Sequence, residues 1–280
     1  MVVFPNAKIN LGLRVKSKRS DGYHELDTVF YPVNICDILE VVSLQASSPQ
    51  SDEDVVFSHS GLDIPGNQSS NLCLKAYHLL KKEFPDIPPV QMHLHKKIPM
   101  GAGMGGGSAD GAFSIRLLND KFRLGMTDET MQAYAIQLGS DCPFFICNKP
   151  VSATGRGEIM EPIPCDLSSW DMLIVNPGIH VGTAEAFRQI RLSPDAPSCK
   201  DIIQLPVEEW QNHLVNDFEQ TVFPLYPALE RLKSMLYEMG ASYASMTGSG
   251  STVYGLFKTL PDWQAIIPQQ YTSFAIPKSI

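Results

Sequence analysis

Apolar and polar positions alternate along several short stretches of the chain, and this spacing predicts β-strands with one buried face. In the first stretch, residues 9–15, the apolar side chains occupy every second position. Lys8 and Asn10 occupy the intervening positions, so we expect both side chains on the same side of the strand. Further strands are predicted over residues 90–94, 172–175 and 252–257.

Other stretches repeat their apolar residues at the three- and four-residue spacing of a helix. Helices are predicted over residues 72–84, 109–117, 131–138 and 229–239, and glycines end the third and fourth of them. The mixture of strands and helices in both halves predicts an α/β (α+β) fold. We place one domain boundary near Cys165, which divides the chain into an N-terminal domain, residues 1–165, and a C-terminal domain, residues 166–280.

A glycine-rich run lies between a predicted strand and a predicted helix. Glycine permits positive φ angles and a close approach of the backbone to a ligand. The first N–H groups of the following helix lack partners within it and lie at the positive end of its dipole, which favours phosphate binding. The alternative is a flexible linker, which is uncommon between two such elements. The candidate nucleotide-binding residues in this run are Pro99, Gly101, Gly103, Gly105, Gly106, Gly107 and Ser108.

Two common nucleotide-binding folds do not fit this run. Gly101, Gly103 and Gly106 satisfy the spacing of a dinucleotide-binding fingerprint. That fold needs a second parallel strand after the first helix, whereas a second helix is predicted here. A P-loop ends in Gly-Lys followed by Ser or Thr, and the run has no such ending.

Composition narrows the class of protein. The chain has 280 residues, 44% of them hydrophobic, which is enough for one large core or for two domain cores, and we favour two. No apolar stretch reaches the ~18 residues of a membrane span, and residues 1–5 lack signal-peptide features, so we expect a cytoplasmic protein without a membrane partner. The net charge of −8 argues against a nucleic-acid partner but not against a phosphorylated substrate. The six cysteines form no CxxC pair, which favours free thiols.

Two histidines on a predicted strand and one polar stretch have simple structural interpretations. His93 and His95 alternate with apolar residues on a predicted strand. They are a candidate metal pair, but such a pattern usually marks the solvent-facing side of a strand. Residues 45–54 are polar and are predicted to form a hairpin tip.

Transfer of a phosphoryl group to an alcohol needs a phosphate cradle, a base for the hydroxyl and a cation that offsets developing charge. Asp141 follows a predicted helix end and precedes two aromatic residues, so we expect a half-dry pocket in which its carboxylate could accept a proton. The alternative for Asp141 is a plain helix cap, because Asp before Pro is a common helix start. Lys8 is a weaker candidate, since a strand lysine is most often solvated.

Two further segments carry candidate binding residues. Residues 247–251 form a second glycine-rich segment, which is either a second anion-binding loop or a tight turn. Thr183 and Phe187 lie four residues apart and therefore share one helix face. Phe187 is either a binding residue or a core residue.

Five segments together resemble the small-molecule kinases of the GHMP superfamily: residues 5–11, 21–26, 99–108, 140–145 and 246–250. The Ala-Lys-Ile-Asn-Leu start joined to Asp-Gly-Tyr-His is similar to the 4-diphosphocytidyl-2-C-methyl-D-erythritol kinase family, ATP-dependent enzymes of non-mevalonate isoprenoid biosynthesis. The resemblance covers nearly the whole chain. It implies a two-domain GHMP-kinase-like fold with nucleotide and substrate bound in the interdomain cleft. It also implies Mg²⁺ carried with ATP near Ser108, without dedicated side-chain ligands.

The resemblance assigns roles to individual residues. Asp141 is implied as the catalytic base, with Lys8 as its charged partner. Asn71 matches an adenine-side position of the nucleotide site. The positions that match substrate-binding residues are Asn10, Tyr23, His24, Thr183 and Phe187, and Phe187 matches the aromatic residue that stacks on cytosine.

The sequence departs from the family pattern within the glycine run. Ala102 and Met104 replace a Gly and a Leu, which should be tolerable. Asp110 stands where Asn is usual, and it is expected to place a carboxylate near the phosphates and alter magnesium or nucleotide affinity.

The implied reaction transfers phosphate from ATP to the 2-hydroxyl of the cytidine diphosphate alcohol. We expect a monomer or a weak homodimer. One alternative is another kinase of the superfamily, acting on homoserine, mevalonate or a sugar; Tyr23, His24 and Phe187 count against it. A second alternative is a non-catalytic nucleotide-binding regulator, and the presence of Lys8 and Asp141 argues against that.

Overall fold

The computed structural model describes residues 1–44 and 54–279. The strands are β1 (Val2–Val3), β2 (Asn6–Lys18), β3 (His24–Cys36), β4 (Ile38–Ser43), β5 (Val55–Gly61), β6 (Val90–Lys96), β7 (Val151–Gly155), β8 (Ile159–Pro162), β9 (Asp171–Asn176), β10 (Tyr243–Met246), β11 (Val253–Phe257) and β12 (Thr272–Ile276). The α-helices are α1 (Leu72–Glu83), α2 (Gly106–Phe122), α3 (Asp128–Leu138), α4 (Cys142–Cys147), α5 (Thr183–Phe187), α6 (Cys199–Ile202), α7 (Glu219–Leu225) and α8 (Pro227–Glu238). The predicted hairpin tip at residues 45–54 lies outside the described residues except for Asp54.

The strands form four-stranded sheets with the orders β1-β4-β6-β5, β2-β3-β7-β8 and β10-β11-β9-β12. β5 and β6 pair in parallel, whereas β4 pairs with β6 and β3 pairs with β7 in the antiparallel direction. The strands and helices predicted from periodicity are confirmed: residues 9–15 lie in β2, 90–94 in β6, 172–175 in β9, and the four predicted helices correspond to α1, α2, α3 and α8.

The chain folds into two compact units. The first unit comprises Met1–Ala7, Val33–Met100 and Gly105–Lys149, and the second comprises Lys8–Pro32, Gly101–Met104 and Pro150–Ile280. The chain therefore alternates between units, whereas the sequence suggested one boundary near Cys165. The division into residues 1–165 and 166–280 stays a prediction.

In the first unit, α1 and α2 contact each other and pack beside the sheet of β4, β5 and β6. The inward positions of β6 alternate as expected, and Met92 and Leu94 are fully buried. α2 approaches α1 closely because residue 111 is glycine: an added Cβ would lie 2.9 Å from the Cβ of Leu72. This packing fixes the helix that begins at the glycine run.

In the second unit, β9, β10 and β11 are buried along their whole length. α8 presents Leu229, Leu232 and Leu236 to the same core at helical spacing. No helix in the described part of the chain is both long and apolar enough to cross a membrane.

Candidate active site

The glycine run adopts the conformation for which glycine is required. Gly101, Gly103 and Gly105 have φ angles of 64°, 77° and 68°, a region that residues with a Cβ rarely adopt. Gly105 is the N-cap of α2 and Gly106 is its first residue. The glycine run therefore leads directly into the N-terminus of α2, where the first N–H groups can bind phosphate oxygens.

Packing around the glycines differs from one position to the next. An added Cβ on Gly103 would lie 2.1 Å from the carbonyl oxygen of Thr247, and one on Gly106 would lie 2.8 Å from Ile98. A Cβ on Gly107 would meet only the end of Met100, at 3.6 Å. Gly103 and Gly106 are thus required by packing within the protein, and Gly107 leaves space at the helix N-terminus.

Asp141 lies in the first unit, at the N-cap of α4, but its carboxylate makes no cap hydrogen bond to that helix. The plain-cap alternative therefore does not describe this side chain. The next residue, Cys142, is buried, which raises the pKa of its thiol to about 12, while an interaction with the side chain of Ser108 acts to lower it. Asp141 therefore directly precedes a residue that interacts with the start of α2.

Asn71 is the N-cap of α1, and its side-chain oxygen accepts a hydrogen bond of 2.8 Å from the N–H of Cys73. The neighbouring Leu72 packs against Gly111 of α2. Asn71 therefore lies where α1 meets the helix of the glycine run. Its role toward adenine stays a prediction.

Asp110 is the fifth residue of α2, and its side chain is buried rather than exposed along the glycine run. Its Oδ2 accepts a hydrogen bond of 2.7 Å from Lys96 Nζ, which also donates to Asp37. Burial raises the pKa of Asp110 to about 7; the charge of Lys96 opposes this shift, and the neighbouring carboxyl of Asp37 adds to it. This buried cluster lies beside Gly106. The expected effect of Asp110 on magnesium or nucleotide affinity stays a prediction.

Lys8 and Asn10 lie on the same face of β2, as predicted, within the second unit. Lys8 is 4% exposed, and its Nζ donates a 2.6 Å hydrogen bond to Asn10 Oδ1. The ammonium also lies 4.6 Å from the ring centroid of Phe30. Asn10 Nδ2 donates to the hydroxyl of Thr28 at 3.0 Å. The strand lysine is therefore buried and oriented rather than solvated.

The second glycine-rich segment contacts the first one. Thr247 Oγ1 donates to the carbonyl oxygen of Gly103 at 3.0 Å and accepts from the N–H of Asn10 at 2.9 Å. The N–H of Lys8 donates to the carbonyl oxygen of Met104 at 3.0 Å. One threonine hydroxyl thus joins the glycine run to the strand that carries Lys8, so this segment is more than an isolated turn.

The aromatic candidates His24 and Phe187 are brought together. Their rings stack with centroids 4.5 Å apart and 16° between the planes. Burial, followed by the charge of Lys18, lowers the pKa of His24. Phe187 is half-buried and packs against the core of the second unit. A core role therefore explains the buried part of its side chain but not the exposed part.

The remaining substrate candidates lie close to these rings in the chain. Tyr23 is 56% exposed, and the guanidinium carbon of Arg156 lies 4.8 Å from its ring centroid. Thr183 begins α5, and its hydroxyl lies 3.4 Å from that of Ser249 in the second glycine-rich segment.

Comparison with known proteins matches two stretches of this chain to one family. The GHMP kinases N terminal domain matches residues 71–149, and the GHMP kinases C terminal domain matches residues 204–268. A 4-diphosphocytidyl-2-C-methyl-D-erythritol kinase of Azobacteroides pseudotrichonymphae is 51% identical over 92% of this chain and 94% of its own length. The chain belongs to the 4-diphosphocytidyl-2-C-methyl-D-erythritol kinase family of GHMP kinases.

A second relative and a crystal structure agree with this membership, and a more distant structure shares the fold. A 4-diphosphocytidyl-2-C-methyl-D-erythritol kinase of Bacteroides fragilis is 51% identical over 92% of both chains. A crystal structure of 4-(cytidine 5'-diphospho)-2C-methyl-D-erythritol kinase superposes with a TM-score of 0.78 at 30% identity, covering 91% of this chain and 90% of the other. The mevalonate kinase of Methanococcus jannaschii shares the fold, with a TM-score of 0.70, 14% identity and coverage of 98% and 97%.

Two groups of buried polar residues beside the glycine-rich segments were not identified from the sequence. The first is the buried cluster of Asp37, Lys96 and Asp110. Its signal was available, because Asp37 and Lys96 continue the inward phase of β4 and β6. The second is the run Asn216–Glu219, whose residues are all buried. Three of its four residues are polar, but their burial is seen only in the structure, so the sequence offered no signal for this run.

Proposed function

We propose that this chain is an ATP-dependent kinase that phosphorylates the 2-hydroxyl group of 4-diphosphocytidyl-2-C-methyl-D-erythritol. Family membership supports the kinase activity and the substrate. The geometric observation that carries the proposal is the contact of Thr247 with both Gly103 and Asn10, because it joins a phosphate-binding run to the strand that carries the buried ammonium of Lys8.

The reaction needs few chemical groups from the protein. The N–H groups at the start of α2 bind the nucleotide phosphates. Asp141 accepts the proton of the 2-hydroxyl as its oxygen bonds to the γ-phosphorus, and the bond from that phosphorus to the ADP oxygen breaks. The ammonium of Lys8 offsets the negative charge that develops, and Asn10 holds that ammonium in place.

Magnesium is implied by the family, and it supplies charge neutralisation on the nucleotide phosphates. The described residues contain no group of three or more His, Cys, Asp or Glu side chains arranged to hold a metal ion. The side chain that fits a phosphate-bound magnesium ion is Ser108, the third residue of α2, whose hydroxyl can face a phosphate or a magnesium-bound water.

The proposed substrate-binding residues all lie in the second unit. The imidazole ring of His24 lies on the face of Phe187. This face suits a cytosine ring, because a base of similar size can take the place of the stacked imidazole. Tyr23, Thr183 and Asn10 complete the set of substrate candidates. The predicted location of the enzyme is the cytoplasm.

The proposal is tested by ATP turnover with and without the cytidine diphosphate alcohol. ADP release that depends on this alcohol supports the kinase reaction. Nucleotide binding without turnover would favour the regulator, and turnover only with homoserine, mevalonate or a sugar would favour another kinase of the superfamily.

A further inference from the structure

The second glycine-rich segment is held in place by a buried carboxamide, that of Asn216. This residue is 1% exposed. Its Nδ2 donates to the carbonyl oxygens of Met246, at 2.7 Å, and Gly248, at 2.9 Å. Its Oδ1 accepts from the N–H of Phe218 at 3.0 Å. The two carbonyl groups flank Thr247, so both amide hydrogens fix the backbone on either side of that residue.

Asn216 is itself rigidly placed beside β2. The N–H of Leu13 donates to the carbonyl of Val215 at 3.0 Å, and the N–H of Asp217 donates to the carbonyl of Leu13 at 2.8 Å. Asp217 also accepts from the N–H of Val15 at 2.8 Å. Residues 215–217 therefore run alongside β2, the strand that carries Lys8 and Asn10 a few residues earlier.

Glu219 holds the two residues that precede this segment. Its Oε1 accepts from the N–H of Met246 at 2.8 Å and from the hydroxyl of Ser245 at 3.2 Å, and its Oε2 accepts from Lys233 at 2.6 Å. Two side chains of one short run thus bind successive backbone groups of the segment that contains Thr247. A loop fastened this way has little freedom to move its hydroxyl.

We propose that Asn216 is a positioning residue for the phosphoryl transfer: its carboxamide fixes Thr247, and Thr247 in turn fixes Asn10, Lys8 and the carbonyl of Gly103. The inference rests on the proposed function, because it assigns Asn216 a part in that reaction. It follows from a series of hydrogen bonds. Asn216 donates to the backbone on either side of Thr247. The Thr247 hydroxyl accepts from the N–H of Asn10 and donates to Asn10 Oδ1 at 3.3 Å, and this oxygen also accepts from Lys8 Nζ.

The test is a double-mutant cycle of Asn216→Asp and Thr247→Val, measured as kcat with ATP and the preferred alcohol at saturation. Asn216→Asp keeps the shape but removes both amide donors, and a displacement of about 1 Å at the site should lower kcat by roughly 10²-fold. If Asn216 acts through Thr247, the same substitution in a Thr247→Val background should cost less than about threefold. Fully multiplicative losses would overturn the inference.

A matched control separates positioning from stability. Leu236→Ala truncates a fully buried side chain of the same unit and should lower Tm while leaving kcat unchanged well below Tm. If Asn216→Asp behaves as Leu236→Ala does, Asn216 is only structural. Should Asn216→Asp not fold, Thr247→Val against Thr247→Ser decides: normal kcat in Thr247→Val would overturn the inference, and loss restored by the serine hydroxyl would support it.

The two proposals fail in different ways. Absence of alcohol-dependent ADP release in the unmodified chain would contradict the proposed function. Normal release in the unmodified chain with unchanged kcat in Asn216→Asp would contradict only the role of Asn216.

Discussion

The imidazole ring of His24 lies flat on the phenyl ring of Phe187, and Phe218 meets Phe187 edge-on, with centroids 4.7 Å apart at 89°. Phe187 is therefore packed on one side against the core and paired on another with a planar ring. A pyrimidine base could take the place of such a ring without disturbing the packed side.

Substitution of Phe187 separates stacking from packing. Phe187→Ala should weaken binding of cytidine diphosphate by about 1 to 3 kcal/mol, the scale of base–aromatic stacking, and leave ATP affinity unchanged. Phe187→Tyr keeps the ring and should have a mild effect. The measurements are a cytidine diphosphate titration and a melting curve for each variant. Normal affinity with a large fall in Tm would restrict Phe187 to a core role.

Removal of the proposed base should slow the chemical step. Asp141→Asn should lower kcat by roughly 10² to 10⁴, while ATP binding persists, because the amide cannot accept the hydroxyl proton. The carboxylate makes no cap hydrogen bond to α4, so the loss is not that of a helix cap. Steady-state kinetics and an ATP titration check this, and a near-normal kcat would end the assignment.

The partner variant tests whether Lys8 and Asp141 act together. Lys8→Ala should also depress turnover, because the ammonium offsets developing charge. If both residues serve one step, the double variant should lose less than the product of the single losses. Independent, multiplicative losses would show that the two residues contribute separately.

Neighbouring glycines at the start of α2 should respond differently to a side chain. A Cβ added in Gly107→Val makes only an ordinary contact with the end of Met100, so this variant should raise KM for ATP with little change in Tm. Gly106→Val meets Ile98 and Lys96 and should lower Tm. Kinetics with varied ATP and melting curves compare the two variants. Unchanged KM for ATP in folded Gly107→Val would place the nucleotide elsewhere.

The buried carboxyl of Asp110 predicts a pH dependence of stability. Its pKa is raised to about 7 by burial, whereas an aspartic acid in the unfolded chain titrates near 4. Between these values the folded protein holds a proton that the unfolded chain has released, so this group makes the protein less stable as pH rises through that window.

Asp110→Asn removes this titration. The Tm of the variant relative to the unmodified protein should therefore increase between about pH 5 and pH 8. Melting curves across this range are the measurement, and Asp63→Asn, which alters an exposed carboxylate, is the control. A Tm difference that stays constant or decreases with pH would contradict the raised pKa.

Local periodicity was enough to predict the principal elements. Residues 9–15 alternate strictly and form part of β2, and the face shared by Lys8 and Asn10 follows from a period of two. The cluster of Asp37 and Lys96 was accessible by the same argument, because both residues are in phase with buried neighbours. Periodicity therefore predicts which face a polar residue occupies as well as which element carries it.

Contacts between distant segments could not be predicted in this way. The hydroxyl of Thr247 and the amide of Asn10 are 237 residues apart in sequence and 2.9 Å apart in space. The requirement for glycine at Gly103 also depends on Thr247. Spacing identifies the glycine run, but it does not distinguish a glycine needed for packing from one that leaves room for a ligand.

The most direct test of the central claim measures ADP release with a panel of alcohols at equal concentration. The panel contains 4-diphosphocytidyl-2-C-methyl-D-erythritol, mevalonate, homoserine and a hexose. We expect kcat/KM for the cytidine diphosphate alcohol to exceed that of each other alcohol by more than about 10²-fold, because its base and diphosphate offer contacts that the others lack. A higher kcat/KM with mevalonate, homoserine or the hexose would contradict it.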